Sequence, residues 1–219
     1  MTRRASADRL SGLHVLADAS PRWAHSPVAQ ARAACAGGAS AVQLRAKLAP
    51  DRDLLAWAAE IRALTEDAGA LFLVNDRFDL ALAAGADGAH LGQDDLPPAR
   101  VPPAARERLL LGFSTHTLEQ AAAARREPVD YVAFGPVFGT SSKDSPWGPR
   151  GLAQLAEVVR SVRPLPVVAI GGIDASNAAS VRVAGAAGFA VISAVAGARE
   201  PEAATRALVA AWREGAAGA

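Results

Sequence analysis

Cysteine is almost absent from this 219-residue chain: Cys35 stands alone. No internal disulfide can form and no multi-cysteine metal cluster can be built, which fits a reducing compartment and makes the cytoplasm the expected location. A charge imbalance is missing too. Lys and Arg number 23 against 22 Asp and Glu, a formal net charge of +1, so there is no broad basic field to draw the chain onto nucleic acid or anionic lipid. Any phosphate chemistry must come from a local site. Long apolar runs are also lacking. The longest uncharged stretch, Val183 to Ala198, is broken by glycines and falls short of the roughly 20 residues a membrane-spanning helix needs, so it reads as a buried strand plus a turn. Arg3 and Arg4 open the chain, but Ala5 to Gly12 is polar and charged, so no apolar signal-peptide core follows and secretion is not expected.

What is present is apolar material: 51% hydrophobic residues against 21% charged, enough for one sizeable core. A single domain over residues 1–219 is expected, with short flexible tails at 1–11 and 215–219. Short runs rich in Val, Ile and Leu alternate with Ala- and Arg-rich stretches of helical spacing. The expected strands are Leu13–Ala17, Ala41–Leu44, Leu71–Val74, Gly88–Leu91, Leu110–Gly112, Tyr131–Phe134, Val167–Ile170 and Ala190–Ile192. Helices are expected at Pro27–Ala36, Asp51–Asp67, Phe78–Ala84, Leu118–Arg126, Leu152–Val162, Ala175–Val183 and Pro201–Arg213, with only a short or irregular one in the Pro-rich Leu96–Ala105. Asp51 and Thr117 stand where N-caps belong, and Gly85 where a left-handed C-terminal turn would go. Strands that each lead into a helical segment imply parallel neighbours joined by right-handed crossovers. A closed (β/α)₈ TIM barrel is the simplest α/β solution, with a doubly wound open sheet as its competitor. The barrel makes a demand: functional groups should gather at the C-terminal rim, where the loops after the strands form the active face.

They do gather there. Strand two runs into Gln43-Leu44-Arg45-Ala46-Lys47, strand three into Asn75-Asp76, and strand four into His90-Leu91-Gly92-Gln93-Asp94-Asp95. Strand five gives Gly112-Phe113-Ser114-Thr115-His116, strand six leads to Thr140-Ser141-Ser142-Lys143, strand seven ends in Gly171-Gly172-Ile173, and strand eight in Ile192-Ser193. Residue counts add an independent sign. Of the 23 basic side chains only two, Lys47 and Lys143, are lysines, and both fall on rim loops. A compact ammonium meets a phosphate oxygen differently from a planar guanidinium, so lysine kept in an arginine-rich chain points to a geometric need. Asn is as scarce, and one of the two, Asn75, ends a strand.

These segments, in order from about Gly12 to Val195, resemble the thiamine-phosphate synthase family. The Q-L-R-x-K, N-D, H-x-G-Q-x-D, G-x-S, T-x-[ST]-K and G-G motifs all find a match. The resemblance implies a Mg²⁺-dependent transferase that joins a hydroxymethylpyrimidine diphosphate to a hydroxyethylthiazole phosphate, releasing pyrophosphate. Its partners are then two small phosphorylated heterocycles, with no nucleic acid and no membrane; a homo-oligomer is left open. By the same resemblance Gln43, Arg45, Lys47, Asn75, Ser114 and Lys143 bind the pyrimidine diphosphate, and Arg45, Lys47, Lys143 and Ser114 carry the catalytic load. Thr140 and Ser142, with the backbone at Gly172, Ile192 and Ser193, take the thiazole phosphate, and Asp76 and Asp95 hold Mg²⁺. The chain departs from the commonest family pattern at Ala46, where an acid is frequent, and at Ser141-Ser142, where Pro-Thr is common.

Read without the resemblance, these residues keep other uses. Asp76 and Asp95 also suit helix N-caps, Ser114 a turn, Gly171-Gly172 a tight turn, and His90 a structural hydrogen bond. Gln43 and Gln93 suit contacts to a base or a metal-bound water, Trp147 suits a cover over the site, and Trp23, Trp57 and Trp212 read as packing residues. Three other functions fit the fold: a thiazole tautomerase, a non-catalytic sensor of a phosphorylated metabolite, and a sugar-phosphate barrel enzyme. The first does not need Asn75, Asp76, Asp95 and both lysines together. The second would need an added partner surface, and the third a base or lysine inside the barrel mouth.

Overall fold

The computed structural model describes residues 8–139 and 146–217. Eight strands, β1 (Gly12–Asp18), β2 (Ala41–Arg45), β3 (Leu71–Asn75), β4 (Gly88–Leu91), β5 (Leu110–Thr115), β6 (Tyr131–Phe134), β7 (Val167–Ile170) and β8 (Gly188–Val191), follow one another around a closed barrel in chain order. Every pair is parallel, and β8 returns to β1 with Gly12 opposite Gly188. That seam excludes an open sheet. Among the described residues the helices are α1 (Pro27–Ala36), α2 (Asp51–Ala68), α3 (Phe78–Ala83), α4 (Pro103–Arg106), α5 (Leu118–Ala124), α6 (Gly151–Ser161), α7 (Ala178–Val183), α8 (Ser193–Ala196) and α9 (Pro201–Ala217).

The period-2 alternation of a strand divides the apolar residues into two cores. On β3, Leu71 and Leu73 join Leu16, Leu110, Tyr131, Val168 and Ala190 in one cluster, which fills the barrel interior. Phe72 and Val74 join the larger cluster shared with the helices. Both faces are buried, which is why the strands read as continuous apolar runs. The foot of the barrel is closed by Leu10, which ends a 3₁₀ turn at Asp8–Leu10 and is fully buried. Leu10, expected in a flexible tail, is thus part of the packing, and α9 carries regular structure to Ala217.

Local differences from expectation have local causes. β5 runs three residues further than its apolar stretch, because Ser114 and Thr115 stay in register with Ala133 and Phe134 and the Thr115 hydroxyl donates to the Ala133 carbonyl (2.9 Å). β8 starts two residues early at Gly188, where a side chain is excluded: a Cβ there would lie 2.7 Å from the carbonyl oxygens of Gly12 and Leu10. Ile192 falls just past the strand and precedes the unanticipated short helix α8. α7 begins at Ala178 rather than Ala175, since Asp174 accepts from the Ser176 amide (2.8 Å) and Asn177 accepts from the Asp174 amide (3.0 Å), folding these residues into a turn. Asp51 is the first residue of α2 and not its cap; Pro50 precedes it without a side-chain hydrogen bond. Thr117 does cap α5, accepting from the Gln120 amide (3.2 Å), and Gly85 takes φ 62° after α3. The Pro-rich segment gives a 3₁₀ turn at Pro98–Arg100 and the single turn of α4, as its composition suggests.

Candidate active site

The C-terminal ends of the strands open on a cavity of about 670 Å³, the rim at which this fold builds its sites. Gln43, Arg45, Lys47, Asn75, Asp76 and Asp95 line it, and so do Ser114, Gly172, Ile192 and Ser193. Every sequence-derived site residue within the described part of the chain therefore meets in one place. Thr140, Ser142 and Lys143 lie outside the described residues. Gln93, His90 and Trp147 line the same cavity.

The two acids come together from different loops. Asp76 follows β3 in the left-handed region, φ 65°, a conformation a short polar side chain tolerates better than most, and its amide donates to the His90 carbonyl (2.7 Å). Asp95 turns back so that its Oδ2 accepts from the Gly92 amide (2.6 Å). The carboxyls of Asp76 and Asp95 are within hydrogen-bonding reach of each other, and Lys47 Nζ lies 3.0 Å from Asp76 Oδ2. Burial, with the Asp95 carboxyl adding to it, pushes Asp76 above the ordinary carboxylate range, while Lys47 pulls it back. An approach of two acids that raises a pKa suits a cation between or beside them. No group of three or more His, Cys, Asp or Glu side chains that could hold a metal occurs among the described residues. Two carboxylates on separate loops could hold a hard cation such as Mg²⁺, which keeps waters and shares substrate phosphates.

Arg45 is held by a residue that sequence reasoning missed. Asp18, at the end of β1 and 3% exposed, accepts from Arg45 Nη1 through Oδ1 (2.9 Å) and from Trp23 Nε1 through Oδ2 (2.9 Å). Gln30 of α1 braces the Asp18 backbone, accepting from its amide (2.9 Å) and donating to its carbonyl (3.0 Å). The sequence carries a sign of it: the apolar run of the first strand is followed directly by an acid, Asp18. Trp23 thus has a bonding role beyond packing, whereas Trp212 stacks on Phe189 (5.0 Å) as a packing residue. Among the described residues Arg45 Nε and the amide oxygen of the buried Gln43 have no hydrogen-bond partner. Arg106 Nε, away from the cavity, and Arg150 Nε share that state; Gln43 and Arg45 differ in lining the cavity, where a ligand could supply the missing partner.

Deeper in the barrel, His90 bridges two hydroxyls: its Nδ1 lies 2.9 Å from the Tyr131 hydroxyl and its Nε2 2.9 Å from Ser114 Oγ. Gln93 Nε2 donates to the Ser114 carbonyl (2.6 Å). On the far side, Gly171 and Gly172 take φ 100° and 66°. A Cβ at Gly171 would sit 2.5 Å from Pro136 Cα, and one at Gly172 2.4 Å from the Gly139 carbonyl oxygen. The pair lets the loop after β6 lie against β7, where the Val137 amide donates to the Ile170 carbonyl (2.9 Å). Trp147 stacks on His116 with ring centroids 5.5 Å apart, and Arg150 lies over its ring.

Residues 13–195 match the family model of thiamine monophosphate synthase. A thiamine-phosphate synthase of Anaeromyxobacter dehalogenans is 53% identical over 210 residues, covering 94% of this chain and 90% of that protein. One of Methanoculleus marisnigri is 52% identical over 178 residues, covering 81% and 84%. Among solved structures, thiamine phosphate pyrophosphorylase from Pyrococcus furiosus superposes with a TM-score of 0.83 at 39% identity, over 96% of this chain and 98% of that one. Matched by the family model over most of its length and by relatives of about half identity, this chain belongs to the thiamine monophosphate synthase family.

Proposed function

We propose that the chain joins 4-amino-5-hydroxymethyl-2-methylpyrimidine diphosphate to 4-methyl-5-(2-hydroxyethyl)thiazole phosphate, or its carboxylated form, yielding thiamine phosphate and pyrophosphate. The observation that carries the reading is the meeting of Asp76, Asp95 and Lys47 in one cavity with two unsatisfied buried groups, Gln43 Oε1 and Arg45 Nε. With a cation held by the two acids, Lys47 and Arg45 suit a polyanion, and Gln43 Oε1 suits a donor on an attached polar ring. The pyrimidine methylene–oxygen bond breaks, its electron pair leaving with pyrophosphate. The thiazole nitrogen lone pair then forms the carbon–nitrogen bond. No side-chain base or nucleophile takes part, so the chain's work is to stabilise the leaving group and align the second substrate.

Arg45 meets the diphosphate with its planar fork and Lys47 and Lys143 as point charges, while Asn75 and Ser114 donate to its oxygens. Asp76 and Asp95 would hold Mg²⁺, which when bound supplies positive charge against the diphosphate. Gln43 addresses the pyrimidine. Thr140 and Ser142 hydroxyls from the loop after strand six take the thiazole phosphate together with the backbone at Gly172, Ile192 and Ser193, which follow strands seven and eight, where barrels of this kind often bind phosphate. The cytoplasm is the proposed location. Mixing the purified protein with both substrates and Mg²⁺ tests the reading: thiamine phosphate should appear in step with pyrophosphate and stop on adding chelator. Conversion of the thiazole phosphate alone, with the diphosphate untouched, would establish a tautomerase instead.

A further inference from the structure

Tyr131, His90 and Ser114 stand on the adjacent strands β6, β4 and β5 and form a continuous run of contacts from the barrel interior to the cavity. We infer that Tyr131 is a positioning residue: its phenol donates to His90 Nδ1, which fixes the imidazole as the Nε2–H tautomer, so that Nε2 donates to Ser114 Oγ and the Ser114 proton is left for the diphosphate.

Tyr131 is 1% exposed, and among the described residues its hydroxyl has one hydrogen-bond partner, His90 Nδ1 at 2.9 Å. A hydroxyl that only accepted there would strand its own proton in the barrel interior, which buried polar groups avoid. The phenol therefore donates. Burial, with Asp130 nearby, pushes its pKa further up, so the proton is there to give. Once Nδ1 accepts, a neutral imidazole carries its hydrogen on Nε2, 2.9 Å from Ser114 Oγ. Ser114 is then an acceptor within the protein and a donor only toward the cavity it lines. The reverse direction fails twice, because it strands the Tyr131 proton and spends the Ser114 proton on His90. An imidazolium would offer a donor to both hydroxyls and strand the Tyr131 proton as well.

Gly112 supplies an independent sign. A Cβ on it would lie 2.1 Å from Tyr131 Cζ and 2.4 Å from both the Tyr131 hydroxyl and His90 Nδ1. The Tyr131–His90 contact passes directly over this residue, which is free of a side chain two positions before Ser114 on the same strand. The G-x-S motif thus has one physical content: the glycine makes room for the link that prepares the serine. Gln93 completes the arrangement by holding the Ser114 carbonyl (2.6 Å).

That the Ser114 proton is meant for a diphosphate rests on the proposed function; the tautomer does not. Nitrogen-15 NMR of histidine-labelled protein, with the His90 signals assigned through His90→Gln, should find Nδ1 unprotonated and Nε2 protonated. Tyr131→Phe should abolish that pattern and lower kcat and pyrophosphate affinity by about 10- to 100-fold, the worth of a hydrogen bond to a charged group. The same substitution in a Ser114→Ala background should cost almost nothing further. A protonated Nδ1 in the unaltered protein would overturn the inference, and so would a full, additive loss in the Ser114→Ala background. Should Tyr131→Phe not fold, the tautomer of the unaltered protein decides alone. If the tautomer is as stated but no thiamine phosphate forms, the functional reading fails and the positioning stands.

Discussion

Replacing Asp18 by Asn isolates the support of Arg45, because it changes charge and one acceptor while keeping shape. Both Asp18 carboxylate oxygens are used, one by Arg45 and one by Trp23. Asn offers a single acceptor and turns an NH₂ toward the other donor, so one bond is lost whichever way the amide sits. A hydrogen bond to a charged group contributes about 1.5–3 kcal/mol, and breaking a sealed ion pair costs about 3–5 kcal/mol. The Asp18 side chain is 3% exposed and that of Arg45 is 14% exposed at a cavity, so water can reach the stranded guanidinium and the cost falls toward the lower range. We predict a loss of about 2–3 kcal/mol, which for a chain of this size lowers Tm by about 4–12 °C. Trp23→Phe, which removes a neutral donor from the carboxylate but leaves the ion pair, should cost about 1.5 kcal/mol, the low end for a hydrogen bond to a charged group. Thermal melts followed by circular dichroism read both. In kinetics Asp18→Asn should raise KM for the diphosphate substrate while Trp23→Phe leaves it near the unaltered value. Equal melting losses in the two variants, or an unchanged KM in Asp18→Asn, would refute the reasoning.

Other predictions follow from the same geometry. Burial lowers the His14 pKa to about 4 from 6.5, against the hydrogen bond its Nε2 makes to the Leu10 carbonyl (2.8 Å). The unfolded chain therefore binds the proton first, and stability falls as pH drops from 6.5 to 4, by about 3 kcal/mol for this group; a His14→Gln difference profile from urea titrations should show that slope removed. Gly172→Ala places a Cβ 2.4 Å from the Gly139 carbonyl oxygen at φ 66°, so strain and overpacking should cost about 2–5 kcal/mol and raise KM for the thiazole phosphate; unchanged Tm and KM would count against the packing described. Asp95→Ala should chiefly lower kcat and Thr140→Ala chiefly raise KM for the thiazole phosphate, and initial-rate kinetics giving the same pattern for both would count against the division of roles.

The strands were legible because both their faces are buried. β4, β6 and β7 have the expected bounds, since each is a short, mostly apolar run closed off by a polar residue, proline or glycine. The end of β5 was not legible: Ser114 and Thr115 look like loop residues until a neighbouring strand gives them partners. The same holds for Gly188, whose lack of a side chain weakens any strand signal although the barrel seam requires it. Of the rare residues, Lys47 and Asn75 do line the cavity, whereas Asn177 serves a turn, donating to the Gly172 carbonyl (3.0 Å). Asp18 escaped notice because its value lies in Arg45, 27 positions away, and no local pattern couples the two.

The order of apolar runs and helices along the chain was enough by itself to dictate eight parallel strands with their polar ends on one rim, because side-chain period and crossover geometry are local properties. Which polar ends touch is a different matter. The approach of Asp76 to Asp95, the clamp of Asp18 on Arg45 and the passage of Tyr131 over Gly112 to His90 depend on barrel closure and strand register, and these arise only when distant segments pack together.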